Sequence, residues 1–389
     1  MNSVKTITPQ GWMTSPATKA VMEALGGEQD ALFVGGCVRN ALLGFEVGDI
    51  DIATKHHPET VMKRLKAANI KAIPTGVDHG TITAVIDKQS FEITTLRKDV
   101  EADGRRATIA FAETWEEDAR RRDFTMNTLL ADMKGNIFDP LGCGVEDLRE
   151  RKVVFVGDPE QRIQEDYLRI LRFFRFHALY GENAPEDKAL KACAKYADKI
   201  ETLSRERITQ EFLKIISVDK PEDILRIMFD NNVLKDLEYG GLETLKHLCT
   251  FQNNYGLGFV ASRLFALADF SLSHIKAMEE YLLLPKVFKK DMQAIDGILR
   301  LENLSNEHAL KVAVYKFGRV PAAQSLMIEL ATDRVMNGYA PKALEIIQNW
   351  DIPTFPVTGE DLMKQGIPQG PELGRELSRL EEEWIAGGF

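Results

Sequence analysis

The sequence predicts an α+β chain: a head mixing strands and helices over residues 1–157, then helices to the end. Three observations carry that expectation. Short β-rich runs bounded by Gly or charged residues recur before residue 100. Beyond Gly157 the apolar residues repeat at helical spacing and strand signals nearly vanish. The length of 389 residues, with 44% hydrophobic and 28% charged side chains, suits several packed units rather than a disordered or fibrous chain.

The expected strands are ALFVGG (31–36), DIDIAT (49–54), GTITAVID (80–87) and FEITTLR (91–97), with a helix over 58–69 between the second and third. Asp158-Pro159 reads as a helix start, and a continuous helix is expected over 161–179. Further helices are expected at 204–217, 221–230 and 308–317. A Pro-rich break at 350–359 precedes a tail with a helical pattern over 372–387.

The formal net charge of -10 argues against a protein that coats nucleic acid through many phosphate contacts, but not against recognition of one RNA by a local patch. Residues 351–389 hold eight acidic and three basic side chains, whereas residues 161–220 are net positive. No secretory leader or membrane-length apolar run is seen. Four scattered cysteines fit free thiols and a cytoplasmic location.

Asp49 and Asp51 are the sharpest chemical feature. Two apart on a strand, their carboxylates share a face while Ile50 and Ile52 point to the core. Such oxygen donors suit a hard cation such as Mg²⁺, which shares its ligands with substrate phosphates. Glu92 becomes a third carboxylate if its strand is a neighbour. Upstream, Gly35-Gly36 ends a strand and permits close backbone approach to a ligand, with Arg39 offering charge at the start of a helix. Arg122, Asp123 and Asn127 combine donors and acceptors suited to phosphate and ribose. Glu165, Asp166 and Arg169 fall at i, i+1 and i+4, either as an intrahelical ion pair or as a reader of a base edge.

In order, GGCVRNALLG, DID, FEITTLRKDVE, RRDFTMN, EDYLRILRFFRF and SRERITQEF closely resemble the class II tRNA nucleotidyltransferases, meaning the CCA-adding enzymes and their bacterial poly(A) polymerase relatives. The resemblance spans residues 31–217 and returns in the tail; residues 220–350 match mainly by helical character. It implies a polymerase-β-like head with a mixed sheet (1–157), a neck carrying the nucleotide template (158–218), an RNA-binding body (219–350) and a tail (351–389). It implies Mg²⁺ on Asp49 and Asp51, with Glu92 as the further catalytic carboxylate. Gly35, Gly36 and Arg39 match the triphosphate segment, and Arg122, Asp123 and Asn127 the ribose and nucleotide segment. Glu165, Asp166 and Arg169 match the protein template, with Arg172 a turn further on. The chain departs from the family pattern at Asn40, commonly Asp, and at Phe45-Glu46-Val47-Gly48, which lacks the usual basic residue.

The implied partners are the tRNA 3′ end, CTP and ATP, with no membrane and no protein partner. The polar stretch Arg97 to Arg106 matches the flexible loop that CC-only members lack, and the acidic tail is unlike the basic extension of the poly(A) polymerases. Full CCA addition is therefore expected ahead of poly(A) or partial addition, and a silent RNA-binding homologue is expected least. None of the seven histidines precedes an Asp, so no phosphohydrolase dyad is seen.

Overall fold

A computed structural model describes residues 1–99, 109–237, 240–301 and 303–389. Two compact units divide the chain, Met1–Glu201 and Thr202–Phe389.

The described strands of the first unit are β1 (Lys5–Thr6), β2 (Ala31–Val34), β3 (Ile50–Thr54), β4 (Lys71–Gly76), β5 (Thr81–Ile86), β6 (Gln89–Thr95), β7 (Arg97–Asp99), β8 (Ile109–Phe111), β9 (Leu130–Ala131) and β10 (Asn136–Phe138). Eight form one mixed sheet in the order β1-β10-β9-β2-β3-β6-β5-β4, while β7 and β8 pair separately. The four expected strands are present. The unexpected ones are short, or exposed and Pro-containing like β4, so neither length nor alternation marks them. Of the expected loop, Arg97–Asp99 forms β7; the rest, to Arg106, lies outside the described residues.

In β3, Ile50 and Ile52 are buried and Asp51 stands between them; in β6, Phe91 and Ile93 are buried and Glu92 is exposed. One sheet face therefore packs against the helices and the other carries the acids. The helix Gly36–Leu43 contacts β2 and β3, and the helix Pro58–Ala67 contacts β4 and β5.

The expected helix over 161–179 is in fact two, Pro159–Glu165 and Leu168–Tyr180. Asp158 caps the first, accepting from Gln161 N–H at 3.1 Å, with Pro159 in the first helical position. The break falls at Asp166, which is extended (φ -156°, ψ 106°), and its carboxylate accepts the Leu168 N–H at 3.2 Å. That side chain offers the backbone an alternative to the helical bond, which apolar periodicity cannot reveal.

The second unit is helical among its described residues. Its buried centre is the helix Arg319–Ala331. Buried Arg263 donates from Nη1 to the Ile216 and Val218 carbonyls at 2.9 and 2.6 Å, and from Nε to Gln252 at 2.7 Å. It thereby satisfies carbonyls left open at the end of the helix Arg205–Ile216. The acidic tail helix Pro371–Ala386 packs on the helix Glu307–Phe317 through Trp384 against Tyr315, with Tyr315 donating to Glu381 at 2.6 Å and Lys316 pairing with Glu382 at 2.6 Å. Part of its negative charge is thus spent on docking.

Candidate active site

Strands β3 and β6 are parallel, and their register sets Asp51 directly beside Glu92. Asp49 lies exposed just before β3. Burial, then the Glu92 charge, push the Asp51 carboxyl up to about 6; Asp49 adds to the rise, while Arg122 and Arg39 oppose it. Asp51 thus sits in a field of two carboxylates and two guanidiniums. Among the described residues no three such ligands are already gathered into a metal-sized cluster. The donor set nevertheless fits a hard divalent cation: oxygen ligands only, with like charges side by side that a cation would relieve.

The strand β2 is followed by Gly35, at φ 72° and ψ -121°, a conformation suited to glycine. A Cβ there would lie 3.5 Å from Arg122 Nη1 and 3.7 Å from the Asn127 carbonyl; at Gly36 it would lie 3.7 Å from Arg39 Nη2. The turn therefore passes within van der Waals range of two arginines and Asn127, and it is the positive φ at Gly35 rather than lack of room that calls for glycine. Arg122 is aimed by buried Asp118, whose Oδ2 accepts from its Nε and Nη2 at 3.0 and 2.8 Å, while Oδ1 accepts from Arg121 and from Arg97 N–H. Burial alone would raise the Asp118 carboxyl, but Arg122 and Arg121 outweigh it and hold it low. Asp118 was not singled out from the sequence, although its i, i+3 and i, i+4 spacing to these arginines was the available signal.

Asp123 is buried and carries a second network. Its Oδ1 accepts from Phe124 N–H at 2.8 Å and Asn127 Nδ2 at 2.9 Å, and its Oδ2 accepts from Arg172 Nε at 2.8 Å. Burial pushes its carboxyl up, but the Arg172 guanidinium and these hydrogen bonds prevail and hold it below the usual aspartate range. Asn127 in turn accepts from Arg39 Nη1 at 2.6 Å.

Glu165 pairs with both Arg169 and Arg162, and Arg169 also donates to the Arg162 carbonyl at 2.7 Å. The expected i, i+4 pair exists, but across the helix break rather than along one helix face. Asp166 instead lies just before the second helix, its carboxylate accepting the Leu168 N–H at 3.2 Å and its carbonyl the Arg169 N–H at 3.0 Å. Buried Arg162, missed in the sequence as an ordinary helical cation, donates to the Arg122 carbonyl at 2.9 Å and so ties this helix to the arginine turn.

The acids, the glycine turn and the arginines thus lie together in the first unit, and known proteins are similar to this chain in sequence and fold. The model of the poly(A) polymerase head domain matches residues 31–154, and that of the probable RNA and SrmB-binding site of polymerase A matches 184–238. The human mitochondrial CCA tRNA nucleotidyltransferase 1 is 35% identical over 371 residues, covering 91% of this chain and 82% of its own. The CCA-adding enzyme of Lactobacillus helveticus is 31% identical over 370 residues, covering 91% and 88%. Among solved structures, the Bacillus stearothermophilus CCA-adding enzyme in complex with CTP superposes with a TM-score of 0.78 at 26% identity, covering 96% of this chain and 94% of that one. The Thermotoga maritima CCA-adding enzyme complexed with tRNA-CCA shares the fold, at a TM-score of 0.66 and 19% identity over 100% and 96%.

The class is therefore that of a nucleotidyltransferase with a poly(A) polymerase-type head. More narrowly, the chain belongs to the CCA tRNA nucleotidyltransferase family.

Proposed function

We propose that this protein adds CMP, CMP and AMP in turn to the 3′ end of tRNA, using CTP and ATP, releasing pyrophosphate and needing no nucleic-acid template. The observation that carries the reading is the Asp51–Glu92 pair on adjacent parallel strands, under the fields of Arg122 and Arg39. Asp49 and Asp51 would hold Mg²⁺, with Glu92 as the further carboxylate. When bound, such ions acidify an attacking hydroxyl and stabilise departing pyrophosphate. Gly35 and Gly36 bring backbone up to the triphosphate, whose charge Arg39 and Arg122 face. Asp123, Asn127 and Arg172 hold the nucleotide through the network that joins them. Asp166 and Arg169 read the base edge, with Glu165 fixing the Arg169 guanidinium. Among the described residues no helix is long and apolar enough to cross a membrane, and the four cysteines are free thiols.

The test supplies purified protein and Mg²⁺ with tRNA ending at the discriminator base, at CC or at CCA, and offers CTP and ATP separately and together. Three additions that then stop are expected. Continued A addition would replace the proposal with poly(A) synthesis, and no addition would overturn it. In a four-nucleotide competition, Arg169→Ala is expected to reduce selectivity for CTP and ATP over UTP and GTP at least tenfold, losing less in total incorporation. Unchanged selectivity would remove Arg169 from the template.

A further inference from the structure

Arg39 is a buried cation whose direct partners are all neutral. Its Nε and Nη2 donate to Asn40 Oδ1 at 3.2 and 2.9 Å, Nη1 to Asn127 Oδ1 at 2.6 Å, and Nη2 also to the Tyr180 hydroxyl at 2.7 Å. No ion pair of Arg39 with a carboxylate is formed among the described residues; burial lowers its pKa, with Arg175 adding to the fall and Asp123 opposing it from a distance. The Tyr180 ring supplies part of what a carboxylate would. Arg39 Cζ lies 4.0 Å from its centroid, a cation–π distance, and the ring is itself held between Phe176 at 5.6 Å and Phe45 at 6.1 Å. A guanidinium has five N–H donors. Four are engaged here, which leaves one on Nη1, beside Asn127, for a ligand.

We propose that Tyr180 is the positioning residue for Arg39, fixing the buried guanidinium by its hydroxyl and its ring so that the remaining Nη1–H meets the bound nucleotide. This rests on the nucleotide-binding reading of the site above. Asn40 cannot do the same work by charge. Its amide bridges Arg39 to the Glu46 carbonyl, to which Nδ2 donates at 3.0 Å, and an aspartate would lack that donor. Tyr180 and Asn40 therefore act on the same guanidinium edge by different means, and their substitutions should be coupled.

The experiment measures equilibrium binding of CTP and of ATP, with Mg²⁺, to the full chain and to Tyr180→Phe, Asn40→Asp and the double variant, alongside thermal melting and steady-state incorporation. Tyr180→Phe keeps the ring and strands one buried N–H. Both nucleotides are expected to bind about tenfold more weakly, and KM to rise while kcat changes less than threefold. Asn40→Asp alone is expected to weaken binding about threefold, by losing the bond to Glu46. In the Tyr180→Phe background the same change is expected to strengthen binding about threefold, because a carboxylate then replaces the lost acceptor. Unchanged affinity in Tyr180→Phe would overturn the proposal. So would a loss that follows the melting temperature and shows no reversal of sign in the double variant. If the parent chain binds neither nucleotide, the reading of the site itself fails, a result distinct from either.

Discussion

Asp51→Asn should abolish nucleotide incorporation, by at least about 10³-fold in kcat, while leaving the fold intact. A loss of that size corresponds to about 4 kcal/mol of transition-state stabilisation, within the range a metal-held charge supplies. Asparagine preserves the shape of the side chain on β3 but removes one oxygen donor and the charge. Stability should not suffer, because Asp51 is partly buried beside Glu92 and near Asp49, so neutralising it relieves repulsion in the metal-free protein. Asp49→Ala should likewise abolish incorporation, with smaller structural consequence still because that side chain is exposed. Incorporation and thermal melting measured together decide the matter. Retained activity in either variant would sink the assignment of these carboxylates, whereas inactivity with a collapsed melting temperature would assign them to the fold.

The second large effect is expected at Asp123, where one carboxylate serves both stability and binding. Asp123→Asn turns one accepting edge into an N–H donor, facing either the Arg172 guanidinium or the Asn127 amide, both already donors. Breaking a buried charge pair costs about 3–5 kcal/mol, and the low end, about 3, is expected because Arg172 keeps partial access to water. Its pH dependence has a definite sign. The folded carboxyl lies below its ordinary value, so the stabilisation is fully present above the unfolded aspartate pKa of about 4 and fades as pH falls through the folded value. Urea titrations of both proteins should therefore show a constant difference from about pH 5 to 8 that narrows in acid. Equal stabilities at neutral pH, or a gap that widens in acid, would contradict the network. Nucleotide affinity should fall by about 30-fold or more, since either Arg172 or Asn127 loses its acceptor and Arg172 loses its charged partner in both cases.

Much of this site was legible because its residues lie in compact segments whose local periodicity fixes direction. The alternation through Asp49, Ile50, Asp51 and Ile52 requires the acids and the isoleucines to take opposite faces. The glycines before Arg39 needed only a strand end to be understood, and Asp158-Pro159 announced a helix. The single long helix over 161–179 was wrong because a 3.6-residue pattern continues through Asp166 even though its side chain diverts the backbone. Asp118, Arg162 and Tyr180 were missed for a different reason: each acts on a residue presented by another turn or segment, and their residue types alone suggest ordinary helix surface.

By itself the sequence determined the kinds of groups available and their local directions: acids on one strand face, a glycine turn, clustered arginines and a helical second half. Tertiary structure alone decided which groups meet. Parallel pairing of β3 with β6, from segments about 40 residues apart, brings Glu92 beside Asp51. Residues 39 and 180, or 123 and 172, share hydrogen bonds only because the chain returns to the same place. Spacing along a strand or helix follows from bond geometry and is local, whereas contact between distant segments depends on how whole faces are buried together.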